Sequence, residues 1–213
     1  MNKSENISLL MDFVDNAKGM VIFAHGAGAD KSSEFMQEFT QLLNEQQLSV
    51  LRFNFNYMDK RLVDGRRYPP ERMPKLLTCF EQVIADLETN LPIFLMGKSM
   101  GGRVAATLAE KPLAGVNGIV CLGYPFHPQK QPEKLRLEPL QNTQQPILII
   151  QGDRDALGNR DEISSYQFSS LCQLQYVEDG DHNLKPRVKS GFTHRQHLAT
   201  AVQAIVKFIY EQS

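Results

Sequence analysis

The sequence predicts a doubly wound α/β domain, with a mostly parallel sheet and helices on both faces. Three observations carry that prediction. Short apolar runs rich in β-branched and aromatic residues alternate with stretches of helical period. The apolar runs are mostly continuous, which suits strands buried on both faces of a parallel sheet. The 213 residues contain no internal repeat, low-complexity tract or Pro/Gly/Ser linker, so one domain over 1–213 is expected. At that length a core can form without disulfides or metal.

The first strand candidate is 20–24 (MVIFA). A helix at 32–45 follows, with Ser32 as N-cap and Phe35, Met36, Phe39, Leu42 and Leu43 at three- and four-residue steps. Residues 49–55 (SVLRFNF) read as the second strand and 74–88 as a helix carrying Leu76, Leu77, Phe80, Val83, Ile84 and Leu87. The third strand, 92–96 (PIFLM), runs into a small, apolar helix at 101–109. Strands at 118–122 (GIVCL), 147–151 (ILIIQ) and 174–177 (LQYV) follow, and a helix at 196–210 closes the pattern. Strict alternation of this kind requires parallel strands joined by crossovers. Ligands on such sheets bind at the carboxyl ends of the strands.

Composition narrows the function classes. The 23 Lys+Arg against 24 Asp+Glu give a net charge of −1, so there is no basic footprint for nucleic acid. The N-terminal MNKSENISLLMDF is broken by Ser8 and Asp12 and is no secretory h-region. Apolar runs such as 147–150 are too short to cross a bilayer. Cys79, Cys121 and Cys172 are odd in number and widely spaced. They read as buried small hydrophobes in a reducing compartment and not as a zinc site, with the cytoplasm as the default location.

The junction at 97–102 (GKSMGG) carries the chemistry. Gly97-Lys98-Ser99 supplies the last three positions of a phosphate-binding GxxxxGK[ST] loop, but its first glycine would fall on Pro92. The alternative is GxSxG, in which a strand turns sharply into a helix and exposes a serine at the sheet edge. Ser99 is then a candidate nucleophile, against a structural turn serine. A serine needs a base, the base an orienting acid, and the developing oxyanion needs donors. After Ser99 the strand at 147–151 ends in GDRD (152–155), and the strand at 174–177 leads to EDGDH, ending at His182. Asp155 is the expected acid, because two residues beyond Asp153 the chain has turned across the sheet edge toward the His182 loop. Asp181, adjacent to His182, cannot easily reach its neighbour's ring. The oxyanion donors are expected at the amide of Met100 and, in the HGAG loop after the first strand, at Ala27, with Gly28 second. A dinucleotide reading of Gly26-x-Gly28 fails because its third glycine would fall on Lys31.

With HGAG, GKSMGG, GDRD and GDH in this order, the chain resembles the α/β-hydrolase superfamily over essentially its whole length. More narrowly it is similar to the small dienelactone-hydrolase-like branch that includes the testis-expressed-thirty-like proteins. GKSMGGR (97–103) and RFNFNYM…DGRRYPPER (52–72) both match that group, with Asn56 a departure where proline is expected. The resemblance implies an eight-stranded type of sheet with the first strands reduced. It also implies a Ser-Asp-His triad, with the acid three residues after the turn glycine Gly152, and no metal or organic cofactor. About twenty residues separate Tyr124 from the strand at 147. They leave room for one short helix near 133–140 and none for a large lid.

The expected activity is hydrolysis of an ester or thioester of a small-molecule acyl substrate through an acyl-enzyme, with no nucleic-acid or membrane partner. The alternative is a hydrolase fold kept as a catalytically silent binding or scaffold module. Residues 57–72 read as a loop over the pocket in which Arg66 and Arg67 hold a substrate anion, or as a solvated loop whose basic residues pair with its own acids. His25 and His127 are expected to order their loops, His194 and His197 to be solvated, and Asp30 to lie at the following helix's N-cap. The Lys98 side chain, next to Ser99, is expected to project differently from the serine and to take no active role.

Overall fold

The computed structural model describes residues 7–212. The first six residues of the N-terminal stretch and Ser213 lie outside the described residues. Seven strands form one sheet: β1 (Leu9–Asp12), β2 (Gly19–Ala24), β3 (Leu48–Phe53), β4 (Ile93–Lys98), β5 (Val116–Leu122), β6 (Ile147–Gly152) and β7 (Cys172–Val177). Their spatial order is β1-β3-β2-β4-β5-β6-β7. All neighbours are parallel except β1, which runs antiparallel to β3 with Leu9 opposite Phe53. The sheet is therefore a mixed, mostly parallel one with helices on both faces and no large lid.

Alternation along the strands divides the core. Ile22, Ala24, Leu51, Phe53, Leu95 and Ile149 face α3 (Met73–Asp86) and α4 (Met100–Leu108). Val21, Phe23, Val50, Phe94 and Ile150 face α1 (Glu34–Asn44) and the closing helix (His194–Gln212). Strands β2 to β6 bury side chains on both faces, which explains their unbroken apolar runs.

Several expectations require correction. Ser33 holds the N-cap position of helix α1, one residue later than expected and without a side-chain capping bond, while Asp30 Oδ1 accepts from Ser32 N–H at 2.6 Å in the turn before it. β3 stops at Phe53. Asn56 opens α2 (Asn56–Asp64), so the first half of the expected loop 57–72 is helical. That helix is stopped by Gly65 at φ 70°, a left-handed C-cap whose N–H bonds the Arg61 carbonyl. The short helix of the β5–β6 connection is α5 (Glu138–Gln141), later and shorter than expected because Pro139 starts its first turn. The four-residue α6 (Arg160–Ile163) is closed by a capping box between Asn159 and Glu162; the closing helix is α7. Cys79 and Cys121 are buried, but Cys172 opens β7 near the margin of the sheet and is only half-buried.

The strand order reverses at β2. The chain steps from β2 to β3 on one side, then returns to place β4 on the other. Ala24 pairs with Gly97 across this switch, so the loop after β2 and the turn after β4 open side by side at the carboxyl edge, where α/β sheets form their crevices.

Candidate active site

Ser99 sits between β4 and α4 at φ 51°, ψ −112°, a strained conformation for a residue with a side chain. The surrounding glycines make the turn possible. A Cβ on Gly97 would run into the Gly101 backbone, and one on Gly101 would lie 2.6 Å from the Ala24 carbonyl oxygen. The turn is fastened by Ser99 N–H to the Leu122 carbonyl at 2.9 Å. Helix, strand and neighbouring loop thus touch backbone to backbone, and the serine hydroxyl is left at the edge.

Three side chains meet there in a hydrogen-bonded chain. His182 Nε2 is 2.9 Å from Ser99 Oγ, and His182 Nδ1 is 2.7 Å from Asp155 Oδ2. Asp155 is fully buried. Its Oδ2 also accepts from Gln151 Nε2 at 2.9 Å, and its Oδ1 accepts from Leu157 N–H at 2.8 Å. Oδ2 thus faces the imidazole and the Gln151 amide together, and Oδ1 is fastened to the backbone. Asp153 does not join this chain. Its carbonyl accepts from Arg160 N–H at 3.0 Å, and its amide bonds the Val177 carbonyl. Asp181 Oδ1 accepts from the amides of Asn183 and Lys185, shaping the loop beneath the histidine.

Ser99 and His182 open onto a cleft of about 330 Å³ lined also by Gly26, Ala27, Phe35 and Lys98. Met100 begins α4, where the first amides of a helix lack intrahelical acceptors. Ala27 lies on the opposite wall, its carbonyl turned away to accept from Tyr57 Oη at 3.2 Å. His25 anchors that wall. Its Nδ1–H donates to the Gly26 carbonyl at 2.6 Å and its Nε2 accepts from Phe55 N–H at 3.1 Å. Burial holds its pKa down to about 4, so the ring stays neutral.

Arg66 and Arg67 are exposed beyond α2 and line an open cavity of about 740 Å³ with Arg61, Tyr68, Ala27 and Gly28. Of the acids of this segment, Glu71 keeps one buried oxygen without a hydrogen-bond partner among the described residues, while the other two are hydrogen-bonded. Asp64 accepts from the Arg66 amide and the Tyr68 hydroxyl, and Asp59 accepts from Asn54 Nδ2. Arg61 is used internally: Nε donates to the Tyr68 carbonyl at 2.6 Å, and the guanidinium lies 5.0 Å from the Tyr57 ring centre.

The Lys98 side chain leaves the strand in a different direction from Ser99: it is buried, and Nζ donates to the His182 carbonyl at 2.6 Å. One expectation fails nearby. His197 is not solvated but 4% exposed, with Nδ1 against the Leu184 carbonyl at 2.9 Å. The half-buried His194 places Nε2 2.9 Å from the Asn183 carbonyl. His127 is buried between the Pro128 carbonyl and Glu162. Gln151 escaped notice altogether, although a lone amide ending an apolar strand is a signal of a buried polar partner.

Among the described residues no cluster of three or more His, Cys, Asp or Glu side chains could hold a metal ion, and no helix is long and apolar enough to cross a membrane. The fold is close to that of dienelactone hydrolase from Anabaena variabilis (20% identity, 98% of this chain and 93% of that one, TM-score 0.73). Est1E from Butyrivibrio proteoclasticus is similar (16% identity, 97% and 94%, TM-score 0.71). So is a serine hydrolase without a lid from Xanthomonas campestris (16% identity, 93% and 89%, TM-score 0.61). At such identities the likeness is one of fold. Residues 17–210 match the family described as Alpha/beta hydrolase domain, and the chain belongs to that family.

Proposed function

We propose that one domain spanning the chain is a serine hydrolase acting on esters or thioesters of small acyl substrates. The observation that carries the reading is the chain Ser99 Oγ–His182–Asp155, with both links at hydrogen-bond length and the serine on a strained turn. In this reading His182 Nε2 takes the Ser99 hydroxyl proton as Oγ attacks the substrate carbonyl. The amides of Met100 and Ala27 hold the oxyanion. Collapse of the tetrahedral species breaks the bond to the leaving group, which receives the proton from His182. A water, deprotonated by the same nitrogen, then attacks the acyl-enzyme, and Oγ leaves with that proton. Asp155 keeps the imidazole in the tautomer with hydrogen on Nδ1 and stabilises the imidazolium.

Arg66 and Arg67, beside Ala27 in the open cavity, are proposed to engage an anionic group distal to the scissile bond, where a guanidinium binds bidentately. The reading of Ser99 is tested with a fluorophosphonate probe and an ester series. A single label at Ser99 is expected, and Ser99→Ala should lose labelling and at least ~10⁴-fold in kcat. Unchanged hydrolysis by Ser99→Ala would sink the mechanism, and a wild type that never labels would favour a silent binding module. In the same series, Arg66→Ala or Arg67→Ala should raise KM for an ester with a distal carboxylate and spare a neutral ester.

A further inference from the structure

The loop that carries His182 follows β7 and spends its own amides internally. Leu184 N–H bonds the Asp181 carbonyl at 2.8 Å, Asp181 N–H bonds the Lys185 carbonyl at 3.0 Å, and Asp181 Oδ1 takes the amides of Asn183 and Lys185. Two residues flanking the histidine, Asp179 and Leu184, stand at φ 52° and 62°. A loop bent this sharply at non-glycine residues persists only where its surroundings hold it.

Its carbonyls are held from outside, one after another. The His182 oxygen accepts from Lys98 Nζ at 2.6 Å, the Asn183 oxygen lies 2.9 Å from His194 Nε2, and the Leu184 oxygen lies 2.9 Å from His197 Nδ1. Three successive carbonyls thus meet three basic side chains from two distant elements, the end of β4 and the first turn of α7. The acceptors fix the tautomers, because a carbonyl can only accept: His194 carries hydrogen on Nε2 and His197 on Nδ1.

We propose that Lys98, His194 and His197 form a three-point clamp that fixes the loop, and through it the His182 imidazole, between Ser99 and Asp155. They are positioning residues, and the inference rests on the reading of Ser99 and His182 as nucleophile and base. Lys98 is the principal point because it emerges from the residue before Ser99. One strand end therefore positions the serine through its backbone and the histidine through a side chain.

The surroundings of Lys98 fit a fixed, directional donor. Its Nζ lies 5.9 Å from the Phe35 ring centre, and a Cβ on Gly26 of the neighbouring strand end would lie 3.7 Å from its stem. Asp155 and Asp181 favour its charge, but burial outweighs them and brings its pKa down to about 8. A merely structural lysine at this site would be a poor choice, since an apolar side chain of equal length avoids that desolvation.

The test compares Lys98→Met and His197→Leu with the donor-preserving His197→Asn and His194→Gln. Two readouts are taken: amide hydrogen exchange over 181–185, and kcat and KM on a neutral ester whose hydrolysis Ser99→Ala abolishes. The clamp predicts faster exchange in that loop while β4 to β6 stay protected. It also predicts that kcat falls about 10–10²-fold, as expected for a misplacement near 1 Å, with KM little changed. His197→Asn and His194→Gln should stay close to wild type. Unchanged exchange or unchanged kcat in Lys98→Met would overturn the clamp, and so would a rise in KM alone, which would make Lys98 a substrate contact. A wild type inert toward probe and esters would instead remove the catalytic reading, and the exchange data alone would then decide whether the loop is clamped.

Discussion

Asp153 and Asp155 stand two positions apart in one turn, yet only one reaches the imidazole. Gly152 explains the difference: a Cβ there would run into the carbonyls of Gly180 and Asp181, so the turn lies directly against the histidine loop. Asp153 still belongs to the edge of β6 and takes part in its backbone bonding, whereas Asp155 has swung across that contact. Asp155→Asn should therefore lower kcat by ~10³–10⁴-fold, because the imidazole loses its tautomer and orientation. Asp153→Asn should stay within ~10-fold of wild type on the same ester, its side chain lying outside the hydrogen-bonded chain. The reverse ranking would reassign the acid. That Ser99, Asp155 and His182 would meet was legible in the sequence, because each follows a strand within a short pattern of turn residues. The contacts of Lys98, Gln151, His194 and His197 were not. They depend on where a side chain ends, several bonds from a backbone whose path alone the pattern gives.

The turn from β4 into α4 is the element on which the site depends, and its glycines work through contact, not flexibility. Gly97, Gly101 and Gly102 each place backbone where a side chain would stand, against α4, the end of β2 and β5. Gly97→Ala should destabilise the protein by at least the ~1–3 kcal/mol of an overpacked core, measured by urea unfolding. A wild-type midpoint would show that the turn can relax. Elements defined by buried periodicity, β2 to β6 and α1, α3, α4 and α7, were predicted nearly to their ends. Those defined by other forces were missed. β1 is mostly exposed and held by pairing with β3 and by the Arg52–Asp12 ion pair at 2.8 Å. α2 buries only Tyr57 and Met58, and its signature is a glycine stop that looks like any loop glycine. α6 is a single capped turn.

At the scale of the molecule, two buried bases contribute to how stability varies with pH. His25 ties the end of β2 to Phe55 beyond β3, and its folded pKa of about 4 lies below the 6.5 of an unfolded histidine. Between these values the unfolded chain binds a proton that the fold refuses, so stability is lost as pH falls through that window, by on the order of 3 kcal/mol. Lys98 acts with the same sign at higher pH. Its folded pKa of about 8 lies below the unfolded 10.5, so stability rises as pH climbs from about 8 toward 10.5. The urea midpoint should be lower at pH 4.5 than at pH 7, and His25→Gln should flatten that acid limb. Above pH 9 the Cys121 and Cys172 thiols, held up by burial, oppose the gain from Lys98. A midpoint indifferent to pH below 6.5 would mean that His25 is protonated in the fold. The sheet's first strand has a consequence of another kind. β1 ends the sheet among the described residues, and Leu9, Leu10 and Met11 are 42%, 38% and 45% exposed, with Phe13 beyond them at 66%. An apolar margin of this kind, with one row of backbone groups turned outward, is a template for further strands. Self-association at high concentration is therefore expected to begin at the rim farthest along the sheet from β7, away from the cleft that Ser99 opens onto.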